Sequence, residues 1–530
     1  MNNITQRFFN RCLAATAAAV LGLFGVAAQA APANPETLIR QNCVGCHQPE
    51  GENSWSRISH QRKTPEGWLM TIARMQSAHG LRISDEDRRT LVKYLADRQG
   101  MAPEETADVR YALERRLNDY EPLKDDEHIG DMCARCHSGA RVVMQGRDEK
   151  EWEHLIHTHL GLWASLEYQA LSRDRDWLPI ALNETLPHLA QRLPFQTAAW
   201  DQWMKARPAA DQFNGRWSFA GHYTGAGDIS GTMTVEHTGN DLFRVVVDGR
   251  YDNGRAFRGE GQGILYNGHE WRANVTIDDV VMRQVLVATP EGMTGRMFER
   301  DRDERGLDFA AARDNQRTLL AVFPEYIKAG AEQELTIVGA GMNGRPNLGR
   351  HIRVLDVIEQ TPERVRVRVR ADDKVAIGPR DIKVGRASGA SVAVYRDIQS
   401  VRVVPEYAVA RIGGNGSPTE KVEGRFDAEA WAVAADGSEF RVGVMPATWS
   451  VAPFDEAAAK LEDVKFAGRL NAQTGVFDPA VAGPNPERPM MANNVGNLSI
   501  TARVKDGERE VSGDGQLIVS VQRWVIPPIP

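Results

Sequence analysis

Cys43-Val44-Gly45-Cys46-His47 and Cys133-Ala134-Arg135-Cys136-His137 are the stretches that decide how this chain folds. Both read C-x-x-C-H. Two thiols three residues apart can each add to a haem vinyl group, and the adjoining histidine then lies under the iron as its proximal ligand. One copy alone would also fit a redox dithiol. Two copies that use every cysteine beyond Cys12 are a more specific signal. A pair of zinc half-sites is the bland alternative. The long separation between the motifs, and a histidine directly after each pair, fit zinc poorly. The sequence therefore predicts two covalently bound haem c groups, attached through Cys43, Cys46, Cys133 and Cys136, with His47 and His137 on the irons.

The N-terminus agrees with haem attachment outside the cytoplasm. Arg7 and Arg11 precede an apolar run, Leu13 to Ala28, and Ala28-Gln29-Ala30 supplies a small-x-small pattern. This predicts a signal peptide over 1–30 with cleavage after Ala30. The run is shorter than the roughly 20 residues of a membrane span. The expected mature chain has 530 − 30 = 500 residues, has no other apolar stretch of spanning length, and is periplasmic. Cys12 leaves with the signal. Lys and Arg number 64 against 71 Asp and Glu, a formal charge of −7 with both signs well mixed. No basic stripe could track phosphates, so nucleic acid is not an expected partner.

Each iron can take a sixth ligand. After the first motif, Trp68, Ile72 and Met75 fall at i, i+4 and i+7, one face of a helix. A second helix follows, with Ser84 as N-cap, Asp85-Glu86-Asp87 complementing the helix dipole, and Leu91, Val92 and Leu95 as its apolar positions. After the second motif, Trp152, Ile156 and His159 repeat the i, i+4, i+7 spacing, with a slightly shorter connection. This assigns Met75 to the first iron and His159 to the second. Three histidines crowd residues 154–159, but His154 and His157 share a face while His159 points about 160° away from His157. His79 and His157 are the reserve ligands; Met144, His128 and His60 are further candidates. A thioether raises the potential relative to a second imidazole, so Met/His and His/His centres would differ in potential, as directional electron transfer requires.

The chain reads as multidomain, α then all-β. Residues 31–210 form the helical dihaem cytochrome c domain: Pro35-Glu36 opens a helix into the first motif, and Thr106–Leu117 and Trp177–Trp203 are helical patterns. Three antiparallel β-barrel or immunoglobulin-like sandwich domains follow. The first, 211–316, contains Gly231–His237, Leu242–Val247 and Trp271–Ile277 as strands, with Tyr-Asp-Asn-Gly (251–254) and Tyr-Asn-Gly (266–268) as hairpin signals. The second, 317–403, opens like an immunoglobulin-like sandwich at Val322-Phe323-Pro324. Its Arg364-Val365-Arg366-Val367-Arg368-Val369-Arg370 alternates strictly, as a strand with a solvated side and a buried valine side, or as a basic docking face. The third, 404–530, ends in Trp524–Pro530, whose prolines exclude a regular ladder or helix. No catalytic constellation stands out in the β region.

Two haem c motifs in an exported helical segment, followed by three β domains, closely resemble the α subunit of quinohemoprotein amine dehydrogenase. The likeness covers nearly the whole chain. Haem motifs occur in many cytochromes; the order and sizes of the domains carry the specificity, with Phe323-Pro324 and Gly339-Ala340-Gly341. The resemblance implies a periplasmic heterotrimer. In it, a small γ subunit bears a cysteine tryptophylquinone that oxidises primary amines to aldehyde and ammonia. A β-propeller β subunit helps form that site. The α subunit takes the electrons on its haems and passes them to azurin or a soluble cytochrome c. It also implies one His/His and one His/Met haem, and no amine-oxidising residue on this chain. The competing readings are a dihaem cytochrome c peroxidase, the electron-transfer subunit of another periplasmic dehydrogenase, and a binding protein with an accessory cytochrome.

Overall fold

The computed structural model describes residues 34–521 except 108, 110–122, 124, 164–165, 169–173, 301, 415 and 417–419. The expected signal peptide, most of the Thr106–Leu117 pattern and the Trp524–Pro530 tail lie outside these residues.

The N-terminal part is helical. α1 (Pro35–Asn42), α2 (Pro65–His79) and α3 (Asp85–Arg98) make the first half; α4 (Glu127–Cys133), α5 (Ala140–Val143) and α6 (Glu149–Leu162) begin the second. Each longer helix starts on a side-chain cap. Asn34, Thr64, Ser84, Asp126 and Asp148 all accept a backbone N–H from the first turn, and acidic residues follow. Trp177–Ile180 runs through a π-turn (Ala181–Thr185) into Leu186–Arg192, and Ala198–Ala206 ends the region.

A two-stranded antiparallel ladder joins the halves: Gln61 opposes Arg147, Arg62 opposes Gly146 and Lys63 opposes Gln145. Moving the first half onto the second by 84 positions takes Gln61 to Gln145 and Lys63 to Arg147. That shift exchanges the outer two pairs and leaves the Arg62–Gly146 pair central. The ladder is thus a local two-fold between the halves.

Eight strands, Gly215–Tyr223 to Arg302–Arg313, pair antiparallel in sequence, and the last closes on the first with Leu307 opposite Tyr223. The predicted hairpins are present, and Gly254 and Gly268 take the positive φ values of 87° and 83° that their turns need. Trp217, Phe219, Met233, Phe243, Trp271 and Phe309 fill the interior. A buried triad ties α2 to this barrel. Arg272 donates to Glu66 at 2.6 and 3.0 Å and to Glu270 at 2.5 Å, with Glu66 fully buried.

The next unit sets a four-stranded sheet, led by Thr318–Phe323, beside a smaller one. Its Arg364–Ala371 strand buries Val365, Val367 and Val369 completely, while Arg366 and Arg370 pair with Glu334 and Glu332 across the strands. The alternation is a solvated, salt-bridged face. Ser400–Val404 pairs with Asp427–Val433, which assigns 400–403 to the last unit. Neither unit is wholly antiparallel. Tyr326–Lys328 runs parallel to Ala393–Tyr395, and Tyr407–Arg411 parallel to Gln516–Ser520. In each case the second strand of the unit pairs with its last. A period-2 pattern gives strands but not their partners.

Candidate haem sites

α1 ends at Cys43, whose N–H donates to the Ile39 carbonyl at 2.8 Å. The Cys43 carbonyl then accepts from Cys46 and His47 at 3.1 and 2.9 Å. One turn therefore presents both thiols and the imidazole together. His47 Nδ1 donates to the Ser56 carbonyl at 2.9 Å, which fixes the tautomer and leaves Nε2 with its lone pair. Cys43 and Val44 pack against the core that holds Trp68, Leu69 and Ile72 of α2. Met75, half-buried, stands in the last turn of that helix, and its carbonyl accepts the capping N–H of Gly80.

The second motif repeats the plan at the end of α4. His137 Nδ1 donates to the Ser138 carbonyl at 3.0 Å, and Cys133 packs against the core of Trp152 and Ile156 of α6. His159 Nδ1 donates to the Leu155 carbonyl at 2.8 Å. Burial, with smaller contributions from Arg141 and His159, lowers the His137 pKa to about 4. Burial also lowers His159. Both stay neutral at physiological pH, and among the described residues no hydrogen bond engages either Nε2, the form in which imidazole binds a metal.

The two ligand helices are held alike. The Gln99 carbonyl accepts the Lys63 N–H at 2.9 Å and the Trp68 indole N–H at 3.0 Å. The Leu193 carbonyl accepts the Arg147 N–H and the Trp152 indole N–H, both at 3.1 Å. The Lys63 ammonium lies 5.3 Å over the Trp68 ring and the Arg147 guanidinium 5.5 Å over Trp152. Seven residues after each tryptophan come Met75 and His159.

All four described thiols are unpaired. Burial pushes the Cys133 thiol up to about 12 and also raises Cys43 and Cys136. A redox dithiol works through a depressed thiol pKa, so these pairs do not fit that chemistry. Among the described residues no three His, Cys, Asp or Glu side chains converge as a bare metal ion would need. Two thiols, an oriented histidine with a free Nε2, and a helix carrying a second donor are what covalent haem needs, and both halves supply them.

The other candidates turn elsewhere. His79 is exposed at the end of α2, and His157 is half-exposed with Nε2 3.9 Å from Glu153. His60 spends both ring nitrogens on Asp148 and Glu50, and His128 bonds Thr185. Met144 is buried against Val109 and Ala140. Sequence reasoning missed the basic residue placed five positions before each tryptophan, Lys63 and Arg147. The repeat of basic residue, N-cap and tryptophan (Lys63-Thr64 to Trp68, Arg147-Asp148 to Trp152) was the available signal.

No described helix is long and apolar enough to cross a membrane. No curated protein matches the chain. Among solved structures, a redesigned β-barrel matches at 16% identity, covering 20% of this chain and 96% of its own, with a TM-score of 0.19. The glucan-utilisation protein SGBP-B of Bacteroides ovatus matches at 10% identity, covering 57% of this chain and 60% of its own, also at 0.19. Neither likeness bears on function at those scores. Four family models do match, end to end. Residues 33–200 match "Quinohemoprotein amine dehydrogenase A, alpha subunit, haem binding". Residues 210–314, 316–396 and 401–529 match domains II, III and IV of the same alpha subunit. The chain belongs to the quinohemoprotein amine dehydrogenase alpha-subunit family.

Proposed function

We propose that this chain is the electron-relay subunit of a periplasmic amine dehydrogenase and carries two covalent haem c groups. Cys43 and Cys46 hold the first and Cys133 and Cys136 the second; His47 and His137 are the proximal ligands, Met75 and His159 the distal ones. The observation that carries the reading is the duplicated half-site: two C-x-x-C-H turns, each followed by a ligand helix pinned to a carbonyl through a buried tryptophan.

When bound, each haem supplies an iron centre that takes up and gives up one electron. The protein's own part is orientation and tuning. The Ser56, Ser138 and Leu155 carbonyls hold the imidazole rings by Nδ1. Burial keeps the His137 and His159 rings unprotonated. The thioether of Met75 against the imidazole of His159 sets the two potentials apart. Oxidation of a primary amine to aldehyde and ammonia releases two electrons and consumes one water. The family resemblance puts that step on a cysteine tryptophylquinone of a small γ subunit, beside a β-propeller β subunit, with azurin or a soluble cytochrome c as acceptor.

Near-infrared magnetic circular dichroism of the holoprotein tests the ligands. Met75→Ala is expected to abolish only the methionine–iron band, and His159→Ala only the bis-imidazole band. An unchanged spectrum in either variant would refute that assignment. Rapid carbon monoxide binding by the reduced wild type would favour the peroxidase reading instead.

A further inference from the structure

One short loop ties His47 to Arg57. Ser56 donates its N–H to the Gln48 carbonyl at 2.8 Å, and its hydroxyl accepts the Gln48 N–H, also at 2.8 Å. The Ser56 carbonyl then takes two donors: His47 Nδ1 at 2.9 Å and the Ile58 N–H at 2.8 Å. The second of these closes a three-residue turn around Arg57, whose φ and ψ are 66° and −44°. This is a γ-turn of the positive-φ kind, rare and strained for a residue with a side chain. Such a conformation persists only where the surroundings hold it.

The holders come from the joint between the two halves. The Arg57 carbonyl accepts from Gln61 Nε2 at 2.9 Å, and Gln61 lies in the ladder opposite Arg147. The Arg57 guanidinium reaches across to α6, where its Nε donates to the two Glu151 oxygens at 3.1 and 3.4 Å. Glu151 is 3% exposed, its backbone N–H donates to the Asp148 cap at 2.8 Å, and the anchored Trp152 follows it in sequence. The carboxylate therefore has a fixed place on the second ligand helix. The second motif anchors its imidazole locally instead, since His137 donates to the carbonyl of its own neighbour, Ser138.

The geometry reaches the iron through the Nδ1 hydrogen bond. A carbonyl that accepts from Nδ1 fixes the ring plane and strengthens electron donation from Nε2. Stronger donation favours the ferric state and lowers the potential.

We infer that Arg57 is a positioning residue for the haem held at Cys43 and Cys46: paired with Glu151, it holds the strained turn that aims the Ser56 carbonyl at His47. The second half thereby sets the donor strength of the first iron's proximal ligand. The inference rests on the proposed function, since it needs haem at the first motif. It gives α6, which carries the distal ligand of one centre, a part in tuning the other.

Loss of Arg57 has two effects of opposite sign. Removing a nearby cation disfavours the reduced state and moves the potential negative. Weakening the Nδ1 hydrogen bond moves it positive. The test uses the full-length holoprotein with Arg57→Gln, the conservative Arg57→Lys, and Glu151→Gln. Haem content is read by pyridine haemochrome and potentials by spectroelectrochemistry. The His47 bond is read by solvent exchange of its Nδ1–H in NMR spectra of the reduced protein. Arg57→Gln is expected to keep two haems per chain, speed that exchange several-fold, and move the methionine-ligated potential positive while the bis-histidine one holds. Arg57→Lys restores most of both changes. An unmoved exchange rate or potential in Arg57→Gln overturns the inference, as does a negative shift or an equal shift at both centres. Where Arg57→Gln loses haem, Glu151→Gln decides: faster exchange at His47 supports the inference, and an unchanged rate overturns it. A wild type with no haem at Cys43 and Cys46 refutes the functional reading, and the inference falls with it.

Discussion

Gln99 and Leu193 hold the same place in two copies of one device. Each offers a single backbone carbonyl to the N–H of a buried cation and to the indole of the tryptophan five residues later. The shared anchor shows that α2 and α6 are equivalent helices. Met75 and His159 are then equivalent positions carrying different donors.

Exchanging those donors should exchange the properties. Met75→His makes the first centre bis-histidine and lowers its midpoint potential; His159→Met raises the second. Spectroelectrochemical titration reads both. A first-centre potential that holds still in Met75→His would remove Met75 from the iron.

The anchors should matter equally to stability. Trp68 and Trp152 are each 1% exposed. Trp68→Phe and Trp152→Phe each lose one hydrogen bond and the indole's extra ring, a cost of about 1–2 kcal/mol. Thermal unfolding of the holoprotein should show two similar decreases with the iron spectra unchanged. A large loss in one variant and none in the other would contradict the equivalence.

The two C-x-x-C-H turns, the helix spacing after each and the Ser84 cap were legible because each rests on neighbours in sequence. Ser84 caps its helix through a contact three residues long; the like caps at Asn34 and Thr64 were not read. The hairpins at 251–254 and 266–268 were legible for the same reason. What could not be read was pairing at long range. Closure of the barrel by Leu307 on Tyr223 depends on tertiary packing, as does the parallel seat of Tyr407–Arg411. The burial of Lys63 and Arg147 was not read either; both lie buried in the ladder between the halves.

The Glu66–Arg272–Glu270 triad fixes the first ligand helix to the barrel. Arg272→Met leaves two carboxylates buried without a partner, which costs about 3–5 kcal/mol. In urea, loss of the haem absorbance and exposure of the barrel tryptophans should coincide in the wild type. They should separate in Arg272→Met, with the haem transition first. Coincident transitions with an unchanged midpoint would show that the triad does not couple the two parts.

The barrel is joined to the last unit through a histidine, and this joint should respond to pH. His222 donates from Nδ1 to Asp228 at 2.7 Å and from Nε2 to Asp427 at 3.1 Å, and Thr224 also donates to Asp427. Burial alone would lower the His222 pKa, but the hydrogen bonds to Asp228 and Asp427 outweigh it and raise the value to about 10. The unfolded chain titrates near 6.5. Below that pH both states hold the proton, and the ion pairs contribute in full. Above it the folded state alone keeps the proton. Stability from this joint therefore falls through the window from about 6.5 to 10 and is gone above it. His222→Gln keeps hydrogen-bonding capacity but cannot hold the charge. Its urea midpoint should lie below the wild type's at pH 6.5 and approach it as pH rises to 10. A difference between the two midpoints that stays constant across that window would show that His222 is not held protonated between Asp228 and Asp427.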